Sequence, residues 1–400
     1  MPPFSIKRGA DLLLILTFLV VIFASPIKML FTKEQSWSNE ENRYLAQFPP
    51  NPTRLADVRE YFTGIDQYLQ DHFGFRDFYI SRYSQELDKR FAIANSQSRV
   101  IKGLDGWYFY NDFGMLKDFQ GKTPLTSGQI AAWLQEQDSK NDWLASQGIR
   151  YLLLVPPDKH SIYPRQLMKY AMAIKGTSRF EQLLQFTGNQ LPDYMINLHQ
   201  LLQPDLYDKP LYYKNDSHWN KLAATIVARS ILTRLAVWFP TESFITDFAF
   251  TADETGIGGN NGKGGDLARM IMQPNLTETY PQLADFKRCA KSNKLPYKLS
   301  SISQSPGRIS YIHRCRGKKL RAIVFRDSFF VPVVPLLSEN FREVVYLWKG
   351  YDQQNIAEII KHYKPDVVIE SVVERHVFDS ILPRESPPST NDPSASKVDQ

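Results

Sequence analysis

Short apolar runs set between helical segments constrain this chain more than any other feature. Tyr151-Leu152-Leu153-Leu154-Val155 and Leu320 to Phe325 are apolar at consecutive rather than alternate positions, the pattern of a strand covered on both faces. Val344-Val345-Tyr346-Leu347, Asp366-Val367-Val368-Ile369 and Met195-Ile196-Asn197-Leu198 read as further strands. Between them lie helical patterns. Ile130 to Ala145 ends at Gly148, a good left-handed cap, and another helix is predicted around Phe180 to Phe186. A third, Lys221 to Val237, carries Leu222, Ile226, Ile231, Leu232 and Leu235, and Ile356, Ile359, Ile360 and Tyr363 form a helical stripe. Such alternation predicts an α/β fold with a mainly parallel sheet flanked by helices.

The amino terminus follows a different logic. Leu12 to Ala24 is apolar except for Thr17, and the run extends through Ile27 and Met29 to Phe31 if Lys28 snorkels. Residues 10–31 are therefore expected to form a transmembrane anchor. Lys7 and Arg8 precede it, whereas Lys28 and Lys33 are mixed with Glu34, Glu40 and Glu41 after it, so residues 1–9 are placed in the cytoplasm and the bulk outside. Phe23-Ala24-Ser25 followed by Pro26 makes a poor cleavage site, and the anchor is read as uncleaved.

Residues 32–95 read as an extended stalk and a helix, with Phe62, Ile65, Tyr68, Leu69 and Phe73 at helical spacing up to Gly74. The main domain is expected over 96–380, starting with a hairpin of Val100-Ile101-Lys102-Gly103 and Asp105-Gly106-Trp107-Tyr108-Phe109-Tyr110. The chain from Pro383 to Gln400 has almost no apolar residue, and a disordered tail is expected over 381–400.

Composition removes several function classes. The net charge of +6 is spread without a dense basic block, so no nucleic-acid partner is expected. Gly256 to Gly265 is glycine-rich but lacks the order of a phosphate-cradling loop, and no cofactor is implied. Cys289 and Cys315 are the only cysteines, and neither has a second ligand at metal spacing. In an oxidising compartment they either join, which stabilises by about 3 kcal/mol, or stay as two buried thiols. Cys315 precedes the strand that runs into Ser328, so a Cys289–Cys315 bond would brace the site there from behind.

Two remote segments carry the chemistry. Asp216-Ser217-His218-Trp219 is followed about 110 residues later by the strand running into Arg326-Asp327-Ser328-Phe329. Together they hold a hydroxyl nucleophile (Ser328), an imidazole base (His218) and a carboxylate that can fix its tautomer (Asp216). Ser328 would stand where a parallel strand ends and a helix begins, its N–H aimed at a developing oxyanion. The competing reading makes Asp327 or Ser328 a helix cap, Asp216 or Ser217 another, and His218 a packed histidine beside Trp219. Lys159 and Arg326 either attract an acidic sugar or are ordinary surface and ion-paired cations. Trp219 is either a sugar-stacking face or a core anchor.

Five segments together resemble the alginate O-acetyltransferase family with its SGNH hydrolase-like domains: Glu41 to Pro49, Gly106-Trp107-Tyr108-Phe109-Tyr110, Val155-Pro156-Pro157-Asp158-Lys159, Asp216-Ser217-His218-Trp219-Asn220, and the strand into Arg326-Asp327-Ser328-Phe329. The resemblance covers roughly residues 35 to 378. It implies an SGNH hydrolase-like domain in the periplasm, single-pass in the cytoplasmic membrane, that acetylates an exported, alginate-like polysaccharide through a serine acyl-enzyme. Ser328 would be the nucleophile, His218 the base and Asp216 its orienting carboxylate, with a membrane-embedded acyltransferase as partner and acetyl donor. Arg326 departs from the glycine usual before Asp-Ser in the wider group. Beyond the Ser328 N–H, only Asn260, Asn261, Gly264 and Gly265 offer themselves as oxyanion donors. Two other functions fit the same residues: an esterase that removes acetyl groups, and a non-catalytic polysaccharide-binding subunit of an export complex.

Overall fold

The computed structural model of the chain describes residues 6–31, 34–38, 43–76, 78–79, 82, 99–112, 114–259, 265–271, 273–286, 288–295 and 309–382. The tail from Pro383, and Asn260, Asn261 and Gly264, lie outside them. The chain divides into two compact units, Met1–Asn95 with Ala268–Pro274, and Ser96–Leu267 with Asn275–Gln400.

In the first unit, helix α1 covers Ile6–Phe31 and continues through Pro26. Its segment Asp11–Met29 is 19 residues long and apolar enough to cross a bilayer, about 28 Å at 1.5 Å per residue. Helix α2, Val58–His72, turns a face of Tyr61, Ile65 and Tyr68 inward. Tyr68 meets Phe48 edge-on at 5.2 Å, and His72 bonds the Ala46 carbonyl at 2.9 Å.

The second unit opens with the expected hairpin, β1 Val100–Lys102 against β2 Tyr108–Tyr110. Helix α3, Ser127–Ser146, begins with a capping box in which Thr126 and Gln129 satisfy each other's backbone amides. Strand β3 is Arg150–Leu154, α4 is Arg179–Phe186 and β4 is Met195–Ile196. This last strand is shorter than the sequence suggested. The Asn197 side chain accepts from Gln200 N–H and turns Leu198–Leu201 into helix. Helix α5 covers Lys221–Trp238; β5, Glu254–Gly256, pairs with β6, Glu278–Tyr280; and the short helix α6, Asp266–Met270, lies between them in sequence. Strands β7 Lys291–Asn293, β8 Tyr311–Arg314, β9 Arg321–Phe325 and β10 Glu343–Leu347, helix α7 Gln353–Tyr363 and strand β11 Val367–Ser371 complete the order.

Seven strands form one sheet in the order β4-β3-β11-β9-β10-β8-β7. The first five are parallel, whereas β8 and β7 add antiparallel on the β10 edge. The sheet is thus mixed rather than purely parallel; β8 and β7 have few apolar residues at strand spacing, which is why the sequence did not announce them.

Consecutive apolar residues do what the pattern required. Ala322 and Val324 join one core with Leu152, Leu154, Val344, Tyr346, Val367 and Ile369, under Ala224, Val227, Ala228 and Ile231 of α5. Ile323 and Phe325 join the other with Tyr151, Leu153, Val345, Leu347 and Val368, under Ile130 and Trp133 of α3, Phe180 of α4 and Ile356 of α7. Burial on both faces is the main source of stability for such strands.

Cys289 and Cys315 are joined, with Cα atoms 5.1 Å apart. The sequence placed the bond behind Ser328, and the structure does not. Arg314, beside Cys315, pairs with Glu343 at the start of β10, whereas Phe325, just before the Ser328 turn, pairs with Leu347 at its end. The disulfide therefore clamps the opposite edge of the sheet. Antiparallel β8 reverses the direction that a parallel strand would have given.

Candidate active site

The histidine loop is free to present its side chains because another residue caps the helix that follows. Asn220 Oδ1 accepts from Leu222 and Ala223 N–H at 2.9 and 3.3 Å, and its amide donates to the Pro210 carbonyl. Asp216 and Ser217 are therefore not the cap of α5. Asp216 Oδ1 instead accepts the His218 backbone N–H at 2.9 Å and lies 2.6 Å from His218 Nδ1.

On the other segment, Asp327 does the local structural work. Its carboxylate accepts Phe329 N–H at 2.9 Å and Val373 N–H at 2.7 Å, tying the turn after β9 to the end of β11. No helix starts at Ser328. A 3₁₀ turn, Val331–Val333, comes first and Val334–Ser338 follows, so the Ser328 carbonyl accepts from Val331 and the Ser328 N–H is not in a helical first turn. Pro332 and Pro335, which lack N–H groups, suit the starts of these short turns. The Ser328 hydroxyl lies 2.7 Å from His218 Nε2. The two segments, 110 residues apart, thus bring Asp216, His218 and Ser328 into one hydrogen-bonded line, with Phe329 packed at 4.7 Å from the imidazole centroid.

A second carboxylate, not singled out in the sequence, meets the same loop from the start of α6. Asp266 Oδ1 accepts Ser217 N–H at 2.7 Å, Oδ2 accepts the Ser217 hydroxyl at 2.5 Å, and Oδ2 lies 3.6 Å from His218 Nδ1. Gly265 makes this possible. A Cβ there would stand 1.9 Å from the Asn215 carbonyl oxygen, so only glycine lets the two backbones touch. Glu278 on β6 accepts the N–H groups of Lys214 and Asn215. Three carboxylates therefore hold the backbone amides of Lys214, Asn215, Ser217 and His218. Only Gly264-Gly265 before Asp266 hinted at a close approach in the sequence, and Glu278 had no signal.

These charges set the titration of the site. Burial opposes protonation of His218, but the Asp216 carboxylate, its hydrogen bond and Asp266 outweigh it and raise the imidazole above its ordinary value. Asp266 is itself raised, by burial and by Asp216. Burial also raises Asp327, against the hydrogen bond from Val373 N–H and the charge of Arg375.

The other singled-out residues support the site from within. Lys159 is buried, its Nζ donating to the carbonyls of Tyr108 at 2.7 Å and Lys214 at 3.2 Å. Burial lowers it to about 8, with Asp216, Glu278 and Asp266 pulling the other way. Its neighbour Asp158 pairs with Arg375, whose guanidinium lies over Phe329 at 5.6 Å. Trp219 is 1% exposed and set edge-on to Phe329, so it anchors the core and offers no open stacking face. Arg326 is buried under Trp348, 4.2 Å from its ring centroid, and borders a cleft of about 320 Å³ with Lys349, Tyr351 and Ser371 at the carboxyl edge of the sheet. Neither Lys159 nor Arg326 is an ordinary surface cation.

Residues 100–296 match the family model described as the SGNH hydrolase-like domain of acetyltransferase AlgX. Asp216, His218 and Asp266 fall inside this match, and Ser328 lies beyond its end. No curated protein matches the chain in sequence. Among solved structures, Bacillus cereus PatB1 superposes with a TM-score of 0.50 at 16% identity, over 70% of this chain and 96% of that one. The O-acetyltransferase domain of Pseudomonas putida AlgJ gives 0.43 at 15% identity, over 74% and 96%, and Pseudomonas aeruginosa AlgX gives 0.44 at 12%, over 74% and 65%. With the mixed sheet between two helical layers, the match identifies the fold as SGNH hydrolase-like, and over residues 100–296 the chain is similar to the domain of acetyltransferase AlgX.

Proposed function

We propose that this protein is an extracytoplasmic O-acetyltransferase, anchored by Asp11–Met29, that passes an acetyl group through Ser328 to hydroxyls of an exported, alginate-like polysaccharide. The supporting observation is the line from Asp216 through His218 to Ser328, with contacts of 2.6 and 2.7 Å. His218 Nε2 takes the Ser328 proton as Oγ attacks the acetyl carbonyl of the donor. The donor's leaving group departs with that proton, leaving an acetyl ester on Ser328. In the second half, His218 takes the proton of a sugar hydroxyl, whose oxygen attacks the ester carbonyl. The bond to Oγ breaks and the proton returns to Ser328. Asp216 keeps Nδ1 protonated and stabilises the imidazolium that forms in each half. A membrane-embedded acyltransferase is the partner proposed as acetyl source, with Lys7 and Arg8 on the cytoplasmic side of the anchor.

The test offers the purified protein an activated acetyl ester with and without an acidic oligosaccharide. Acetylated sugar that requires Ser328 supports the transferase. Free acetate alone makes the protein an esterase, and a folded protein that forms no acetyl-Ser328 makes it a binding subunit.

A further inference from the structure

The last two turns of the proposed membrane anchor are clasped by a short aromatic segment. A Cβ on Gly74 would stand 2.1 Å from the Ser25 carbonyl oxygen and 3.0 Å from Lys28 Cβ, so the chain after α2 touches α1 where only glycine fits. The contact brings Phe75 beside Lys28, whose Nζ lies 4.1 Å from the ring centroid. Tyr79 then gathers Phe73, Phe75 and Phe78 around it, with centroid separations of 6.5, 6.5 and 5.8 Å.

These four rings are not a core. Phe73, Phe75, Phe78 and Tyr79 remain 46%, 38%, 55% and 41% exposed, and on α1 the apolar side chains of Ile27 and Phe31 are exposed as well. An aromatic cluster left facing outward needs an occupant, and its height selects one. Ser25 and Lys28 belong to the last two turns of the stretch Asp11–Met29. If that stretch spans the bilayer, the cluster sits at the boundary between acyl chains and headgroups. Aromatic rings and basic side chains favour that zone, and Arg82, with its guanidinium 5.7 Å from the Phe78 ring, supplies a cation beside them.

We infer that Phe73, Phe75, Phe78 and Tyr79 form an interfacial collar whose rings insert into the leaflet where α1 emerges, with acyl chains as their partner. The inference rests on the membrane anchor of the proposed function. The collar would let the unit leave the bilayer in a fixed orientation rather than on a loose tether.

The chain's only cysteines are disulfide-bonded, so a cysteine introduced at an exposed site labels uniquely. Full-length Phe78→Cys, Leu19→Cys and Ser139→Cys proteins carrying a nitroxide are reconstituted in phosphatidylethanolamine–phosphatidylglycerol vesicles, and collisions with oxygen and with a water-soluble nickel complex are compared. Oxygen is expected to dominate at Leu19, less strongly at Phe78, and the nickel complex at Ser139. A Phe78 label as accessible to nickel as Ser139, with Leu19 still in lipid, overturns the collar and leaves the anchor standing. Exclusion of both reagents at Phe78 also overturns it, since the rings would then be covered by protein. Nickel access at Leu19 overturns anchor and collar together.

Discussion

Asp266 holds Ser217 twice, through the backbone N–H at 2.7 Å and the hydroxyl at 2.5 Å. Ser217 directly precedes the histidine that faces Ser328, so this grip sets where the imidazole stands. Asp266→Ala should destabilise the protein by about 1–3 kcal/mol through the lost charged hydrogen bonds. It should also lower kcat more than it raises KM. Thermal melts and steady-state kinetics check this; unchanged kcat in a destabilised protein would make Asp266 purely structural.

Ser328→Ala and His218→Ala should each lower acetyl-ester turnover by about 10³-fold or more while the fold is kept. Ser328→Ala should in addition abolish the acetyl mass increment on the peptide that contains residue 328. Turnover at the native rate in either variant would remove these residues from the chemistry.

The pH dependence follows from the raised imidazole. A base must be neutral, so kcat/KM should rise with pH and level off above the ordinary imidazole value of about 6.5. Asp216→Asn removes the larger charge that raises His218 and leaves only Asp266 to oppose burial, so the limb should move to lower pH as the rate falls. For stability the sign is opposite. The favourable His218–Asp216 pairing is fully present below the unfolded value and is lost as pH rises through the raised folded one. A pH–rate profile for both proteins decides the point.

Reducing the Cys289–Cys315 bond should lower stability by about 3 kcal/mol and leave kcat nearly unchanged, because the bond clamps the edge of the sheet away from Ser328. Cys289→Ser with Cys315→Ser, measured by denaturant titration and kinetics, tests both halves. A large loss of kcat at a temperature where the variant is folded would contradict the placement.

How much of this was legible depended on the kind of signal. The central strands announced themselves because burial on both faces leaves consecutive apolar residues, as in Ile323, Val324 and Phe325. Helix α5 showed its stripe, but the identity of its cap did not follow from residue type, since Asp216, Ser217 and Asn220 all qualify and only geometry selects Asn220. The antiparallel strands Lys291–Asn293 and Tyr311–Arg314 were missed because side chains such as Lys291, Ser292, His313 and Arg314 give no apolar run. Asp266 was missed for another reason: its partners are backbone amides and a serine hydroxyl of a distant loop, contacts that leave no spacing in the sequence.

Alternate residues of Arg321–Phe325 belong to opposite cores, and this makes the strand intolerant of length change. Deleting one residue there would exchange the inventories of the two helical layers and swing the serine turn half a revolution about the strand axis. Length variation compatible with this site is therefore confined to connections outside the strand.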